Sequence, residues 1–136
     1  MSNQPNPELT PPNIIIKGSK KFDITPSVNF NGQTGICKIS GESHHQNDRD
    51  FYLPLVQWIR NYAKTGRPLE FNFKFIYFST ASSKQILLLI EALKQYEQAG
   101  GVVTVNWYYP EDDEEILEEA EDYIHATNLK MNLISY

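Results

Sequence analysis

The sequence predicts a small α/β domain on a mixed sheet of about five strands, with its elements in the order ββαβαβαβ. Three observations carry this expectation. Residues 69–76 alternate apolar and polar side chains, as a half-buried strand does. Segments 51–64 and 83–98 instead repeat apolar residues at helical spacing. Each of the last four strand-like segments is joined to the next by a helical one, the arrangement that lets neighbouring strands run parallel.

The elements follow in order. Residues 1–13 are rich in Asn, Pro and Ser and are expected to form a flexible extension, leaving 14–136 as a single domain. Ile14 to Ile16 can add a short strand. Pro26 leads into a strand at Val28 to Phe30, and Gly32 and Gly35 bracket a hairpin turn before a second strand at Ile36 to Ser40. Gly41 to Asp50 reads as a polar loop. A helix is expected over Phe51 to Lys64, with Leu55, Trp58, Ile59 and Tyr62 on one face. Pro54, tolerated in a first turn, places its start. Gly66 and Pro68 end it.

In the third strand Leu69, Phe71, Phe73 and Phe75 share one side, and Glu70, Asn72 and Lys74 the other, so one face should be covered and the other wetter. The next helix carries Ile86, Leu89, Ile90 and Leu93 as its stripe. Ser82 with Gln85 fits a capping box and puts the start near Ser83. Gly100 and Gly101 stop it. A fourth strand spans Val102 to Tyr108, Pro110 opens an acidic helix over Glu111 to about Ala126, and Leu129, Met131 and Leu133 alternate as a last strand.

Composition narrows the function. The chain has 136 residues, enough for one domain with a real core. A formal charge of −5 argues against nonspecific nucleic-acid binding and against docking on anionic membranes. The longest aliphatic run, Ile86 to Ile90, is too short to span a bilayer, and no charged-then-apolar leader opens the chain. The lone Cys37 has no disulfide partner and reads as a small core residue. A cytoplasmic protein is the natural expectation.

No catalytic set emerges. There is no phosphate-cradling glycine loop after a strand and no nucleophile elbow. His44-His45 lacks further ligands at metal-binding spacing and reads as an exposed loop. His125 complements the end of its helix. The acidic run from Glu111 to Glu115, continued by Glu118, Glu119, Glu121 and Asp122, reads as a solvated face whose first carboxylates favour the helix N-terminus, or as a surface for a basic partner. No metal or cofactor is implied.

The chemistry concentrates instead in Tyr77-Phe78-Ser79-Thr80-Ala81-Ser82-Ser83-Lys84, hydroxyls placed where a strand gives way to a helix. A helix start offers unpaired N–H groups, so a hydroxyl there can cap the helix or carry a phosphate. With Ser82 explaining the cap, Thr80 is left free on the preceding turn. Leu87 and Leu88 fall beside or off the buried stripe. They either pack under neighbouring elements or form an exposed docking patch.

That segment resembles the switch region of the SiaC family of bacterial regulatory phosphoproteins, which look like relatives of STAS-type anti-anti-sigma factors. Ile39-Ser40-Gly41-Glu42-Ser43 matches the family's Gly-acidic-Ser step. Tyr52 to Gly66, with Trp58 in the middle, is similar to its first helix. Val105-Asn106-Trp107-Tyr108-Tyr109 followed by acidic residues is the most distinctive match. The resemblance runs from about Thr25 to Leu133 and implies a single STAS-like domain.

It also implies a non-enzymatic partner switch. The family's phosphorylated threonine falls on Thr80. A cognate kinase adds the phosphate, a PP2C-type phosphatase removes it, and one state binds a downstream target such as a diguanylate cyclase. Ser79 stands where the family often has Asn and is the alternative phosphoacceptor. His45-Gln46-Asn47 stands where it often has Pro-Glu-Asn. Partner contacts are expected at Ser79, Ala81, Ser82, Ser83, Lys84, Leu87 and Leu88. Two other readings stay open: a ligand-binding or enzymatic domain with Asn106, Tyr108 and Ser79 at the strand C-termini, and a constitutive scaffold subunit.

Overall fold

Among the described residues, 9–21, 23–44 and 47–136, a computed structural model shows six strands and three helices. The strands are β1 (Ile14–Ile16), β2 (Ser27–Phe30), β3 (Ile36–Ser43), β4 (Leu69–Phe78), β5 (Val103–Tyr109) and β6 (Asn132–Ser135). The helices are α1 (Asp48–Ala63), α2 (Thr80–Gln98) and α3 (Glu114–Thr127). All six strands form one sheet in sequence order. β1, β2 and β3 pair antiparallel, and β3 to β6 pair parallel, as the helical connections require. The sheet is thus mixed, and the sixth strand beyond the expected five is the short β1 at its edge.

The alternation expected in β4 holds. Leu69, Phe71, Phe73 and Phe75 are buried, and the paired strands bury Val28, Phe30, Cys37, Ile39, Val105 and Trp107 on the same side. The helices cover this face, with α2 packed between α1 and α3. Aromatic rings fill the layer: Phe73, Phe75, Phe78 and Tyr123 all pack around Trp107. Cys37 lies fully buried here, and burial pushes its thiol up to about 12. The opposite face carries no helix. A row of paired positions crosses it, Asn29, Lys38, Asn72, Asn106 and Asn132.

Several boundaries differ from expectation for tertiary reasons. α1 begins at Asp48, so Pro54 sits in the second turn and not the first. The buried Asp48 and Tyr52 anchor those early turns and outweigh the hydrogen bond that Pro54 cannot donate. β4 continues to Phe78 through a bulge at Ile76, opposite the Gly41/Glu42 step of β3. Gly41 pairs with Phe75 and Glu42 with Tyr77, leaving Ile76 unpaired and Ile76 and Tyr77 both outward. Gly41 takes a φ of 101°, which favours glycine. α3 starts at Glu114 because the Asp113 carboxylate accepts from the Ile116 N–H as N-cap, so Glu111 to Asp113 precede the helix. Leu129 and Met131 are buried but lie ahead of β6, in a connection that starts from the left-handed Asn128.

The extension expected to be flexible falls partly outside the described residues. Its described end, 9–13, is bonded to the domain. The Trp58 indole N–H donates to the Pro12 carbonyl (2.7 Å), and the Gly32 N–H donates to Asn13 Oδ1 (2.9 Å). Arg67 donates to the Thr10 hydroxyl and to the carbonyls of Gly32 and Gln33, with its guanidinium over the Tyr62 ring. One side chain therefore ties this segment, the β2–β3 turn and the end of α1 together. Arg67→Ala is expected to cost about 2–3 kcal/mol in equilibrium urea unfolding, from the loss of charge-assisted hydrogen bonds. A midpoint unchanged from the wild-type chain would show that the clamp adds nothing.

Candidate functional site

The site forms where β3, α1 and α2 meet, at the C-terminal ends of the central strands. The Ser79 N–H donates to the Ser43 carbonyl (3.0 Å), fixing the end of β4 against β3. Ser79 is extended (φ −74°, ψ 167°), and its hydroxyl accepts from the Ser82 N–H. The N-cap of α2 is therefore Ser79, not Ser82, and the helix starts at Thr80.

Ser82 has a different task. It is 0% exposed, and its hydroxyl accepts from Ser43 Oγ (2.8 Å) and lies 3.0 Å from Asp48 Oδ1. Ser43 Oγ in turn lies 2.7 Å from the Tyr52 hydroxyl. The Ser82 hydroxyl can donate to Asp48 Oδ1 or to the Ser43 carbonyl (3.1 Å), and either hydroxyl of the Ser43–Tyr52 pair can donate to the other. This buried chain joins the end of β3 to the first turns of α1 and α2. Burial pushes the Tyr52 hydroxyl well above the tyrosine range, against the Ser43 hydrogen bond, and the Asp48 carboxylate adds to the rise.

Ser83 faces α3. Its hydroxyl lies 2.9 Å from that of Tyr123, which also donates to the Ser83 carbonyl (2.9 Å), and it donates weakly to Glu119 (3.4 Å). Burial first, and then the neighbouring Asp122 charge, raises the Glu119 carboxyl above its ordinary range.

The first turn of α2 is therefore split. Ser82 is buried, and the half-buried Ser79 and Ser83 are engaged in hydrogen bonds. Thr80, Ala81 and Lys84 are exposed. The Thr80 side chain has no hydrogen bond among the described residues. Further along, Leu87 packs against the core while Leu88 is 43% exposed, so the two leucines divide between the readings open to them. Of the positions expected to touch a partner, Ser82 is turned inward, Ser79, Ser83 and Leu87 are half-buried, and Ala81, Lys84 and Leu88 share the outer side with Thr80.

Asn106 and Ser79, candidates for a ligand site, do not converge. Asn106 pairs with Asn72, seven residues before Ser79 on β4, which is roughly 20 Å along a strand. His44 is exposed and paired with Ile24, and His45 and Gln46 lie outside the described residues. Among the described residues no cluster of three or more ligating side chains is placed to hold a metal, and no helix is long and apolar enough to cross a membrane. The sequence reading missed Asp48, because a polar stretch with no apolar period gave no sign that one carboxylate would be buried.

A sheet covered on one face by three helices, with an unengaged hydroxyl at the exposed start of the middle one, is a frame for binding and regulation. The family model of the SiaC family regulatory phosphoproteins matches residues 16–136, and the chain belongs to that family. It is 27% identical over 100 residues to the uncharacterized protein PA14_02130 of Pseudomonas aeruginosa strain UCBPP-PA14, covering 73% of this chain and 79% of that one. Its fold matches apo-SiaC of P. aeruginosa with a TM-score of 0.80 at 23% identity, over 90% of this chain and 98% of that one. It also matches P. aeruginosa SiaC in a structure of the diguanylate cyclase SiaD in complex with its activator SiaC, with a TM-score of 0.82 at 23% identity, over 90% and 99%.

The split of the turn has a measurable signature. Ser82→Ala is expected to destabilise the fold by about 1–3 kcal/mol, because it leaves buried partners unpaired. Thr80→Ala should stay within about 0.5 kcal/mol of the parent. Chemical denaturation of both variants tests this, and equal losses would contradict the assignment of inner and outer sides.

Proposed function

We propose that the chain is a phosphorylation-gated partner-switching protein with no catalysis of its own, gated at Thr80. The observation that carries this reading is the split of the first turn of α2. Thr80 presents a free hydroxyl on the outside, open to a kinase. Ser79, the alternative acceptor, is half-buried and occupied as the cap. Family membership supports a regulatory phosphoprotein.

In this reading a cognate protein kinase adds the phosphate and a PP2C-type phosphatase removes it. The unphosphorylated form binds a cytoplasmic effector. The P. aeruginosa SiaC that activates SiaD supports a diguanylate cyclase as that effector. Partner contacts fall on the outer stripe of Thr80, Ala81, Lys84 and Leu88, one helical turn apart along α2. A phosphate there adds nearly two negative charges and several acceptor oxygens. A penalty of ~3–4 kcal/mol for burying or opposing that charge weakens binding some hundreds-fold. The fold need not change, because Thr80 holds none of the buried contacts.

Phosphosite mass spectrometry on protein purified from its native host, with co-purifying proteins identified from the same samples, is the direct test. Phosphate on Thr80, with partner identity changing as occupancy changes, is the expected result. Phosphate on Ser79 would move the gate by one residue, and no phosphate under any growth condition would end the gating reading. Against the captured partner, Thr80→Ala should bind like wild type and the Thr80-phosphorylated chain some hundreds-fold more weakly. Separately, Leu88→Asp should weaken that binding at least tenfold with its unfolding midpoint unchanged. Full binding by Leu88→Asp would exclude the outer stripe of α2 from the interface.

A further inference from the structure

A groove of about 420 Å³ opens between the first turns of α1 and α2, and Ala81, the residue after Thr80, is in its lining. Arg49 and Lys84 line it from opposite helices, together with Asp48, Asp50, Ala81 and Gln85. Both cations are exposed, and neither has a hydrogen bond or ion pair among the described residues. Some other cations are engaged: Lys20 pairs with Glu42, Lys94 with Glu97, and Arg67 donates to three acceptors. Arg49 and Lys84 therefore face one groove from two helices without partners among the described residues, in a chain with 17 acidic residues against 12 Lys and Arg.

We propose that Arg49 and Lys84 form a binding site for a phosphomonoester, and that the phosphate it takes is the one on Thr80 of the same chain. The inference rests on the reading of Thr80 as the phosphoacceptor. Lys84 lies four residues after Thr80 and so on the same side of α2, within reach of a group on that side chain. Arg49 closes the site from α1 with a planar fork suited to two phosphate oxygens. Two carboxylates face the same groove and set the limit of its attraction. Asp48 is buried and already accepts from Ser82, while Asp50 is exposed.

Capture gives the phosphate a second effect beyond its own bulk and charge. It bridges α1 to α2 across the groove and neutralises Arg49 and Lys84, so a partner carboxylate that paired with these cations in the unphosphorylated chain loses both at once. The gate would then work by competition for the same two side chains.

The test uses the full chain with phosphothreonine installed at position 80 and ³¹P NMR titration of that phosphate. Its second ionisation, ordinarily near 6, should fall by about one unit next to two cations. The Arg49→Gln/Lys84→Gln chain should return it to the value of free phosphothreonine. Both substituted residues are exposed and unengaged, so the double variant should keep the parent unfolding midpoint. Identical titrations in parent and double variant would overturn the proposal. So would a lowered value that survives both substitutions. The phosphate is installed and not enzymatic, so the result stands apart from whether cells phosphorylate Thr80. Failure to find phospho-Thr80 in the host would sink the gating reading and leave this binding result intact.

Discussion

The site depends on one buried chain of hydrogen bonds, from the Tyr52 hydroxyl through Ser43 and Ser82 to the Asp48 carboxylate. Each link lies in the interior, where an unpaired polar group is costly. Its members come from three segments: Ser43 from the end of β3, Asp48 and Tyr52 from the start of α1, and Ser82 from the start of α2. Linking these four side chains fixes how the segments meet. That constraint starts α1 six residues before its proline. It draws β3 out to Ser43, past the β4 bulge opposite Gly41. It also turns Ser82 inward, which leaves the capping of α2 to Ser79.

The outer surface of the turn follows from the inner one. Successive residues of a helix step by about 100°, so a run of four cannot all face one way. With Ser82 directed at Asp48 and Ser83 at Tyr123, Thr80 and Ala81 fall to the outside by geometry. Lys84 follows Thr80 one turn later, and Leu88 follows Lys84. An exposed stripe of hydroxyl, small, cationic and apolar residues is therefore the reverse side of the buried network. A modification at Thr80 changes what the surface offers without drawing on the interactions that hold the helix.

The uncovered face of the sheet is organised differently. Asn132 Nδ2 donates to Asn106 Oδ1, Asn106 Nδ2 to Asn72 Oδ1, and Asn72 Nδ2 to the Cys37 carbonyl and Glu70, each at 2.9 to 3.0 Å. Paired strands set these side chains about 4.8 Å apart, a spacing that adjacent amides can bridge. The row lets this face meet water with its polar groups already engaged. Large apolar side chains on it, such as Ile15 and Ile36, are scattered singly, which is ordinary for a protein surface. The distinctive exposed chemistry of the fold thus gathers at the ends of the strands, by the starts of α1 and α2.

What could be read from the sequence and what could not divide along the range of the interactions involved. The alternation in β4 and the stripe Ile86, Leu89, Ile90, Leu93 are local patterns, and both were legible because burial repeats with the period of the element. The start of α2 was not. Ser79 with Ser82 and Ser82 with Gln85 are both three apart, and both offer a hydroxyl where a helix begins. The second pair even matches the capping box more closely. Ser79 is chosen because Ser82 is taken by Ser43 and Asp48, residues 39 and 34 positions away in sequence. No window along the chain contains that competition. The same holds for Pro54, whose position inside α1 makes sense only once Asp48 and Tyr52 are seen to be buried. A turn of this kind is hard to read from sequence for a physical reason. Its serines and threonine are alike in type and differ only in partners, and the partners are supplied by distant segments.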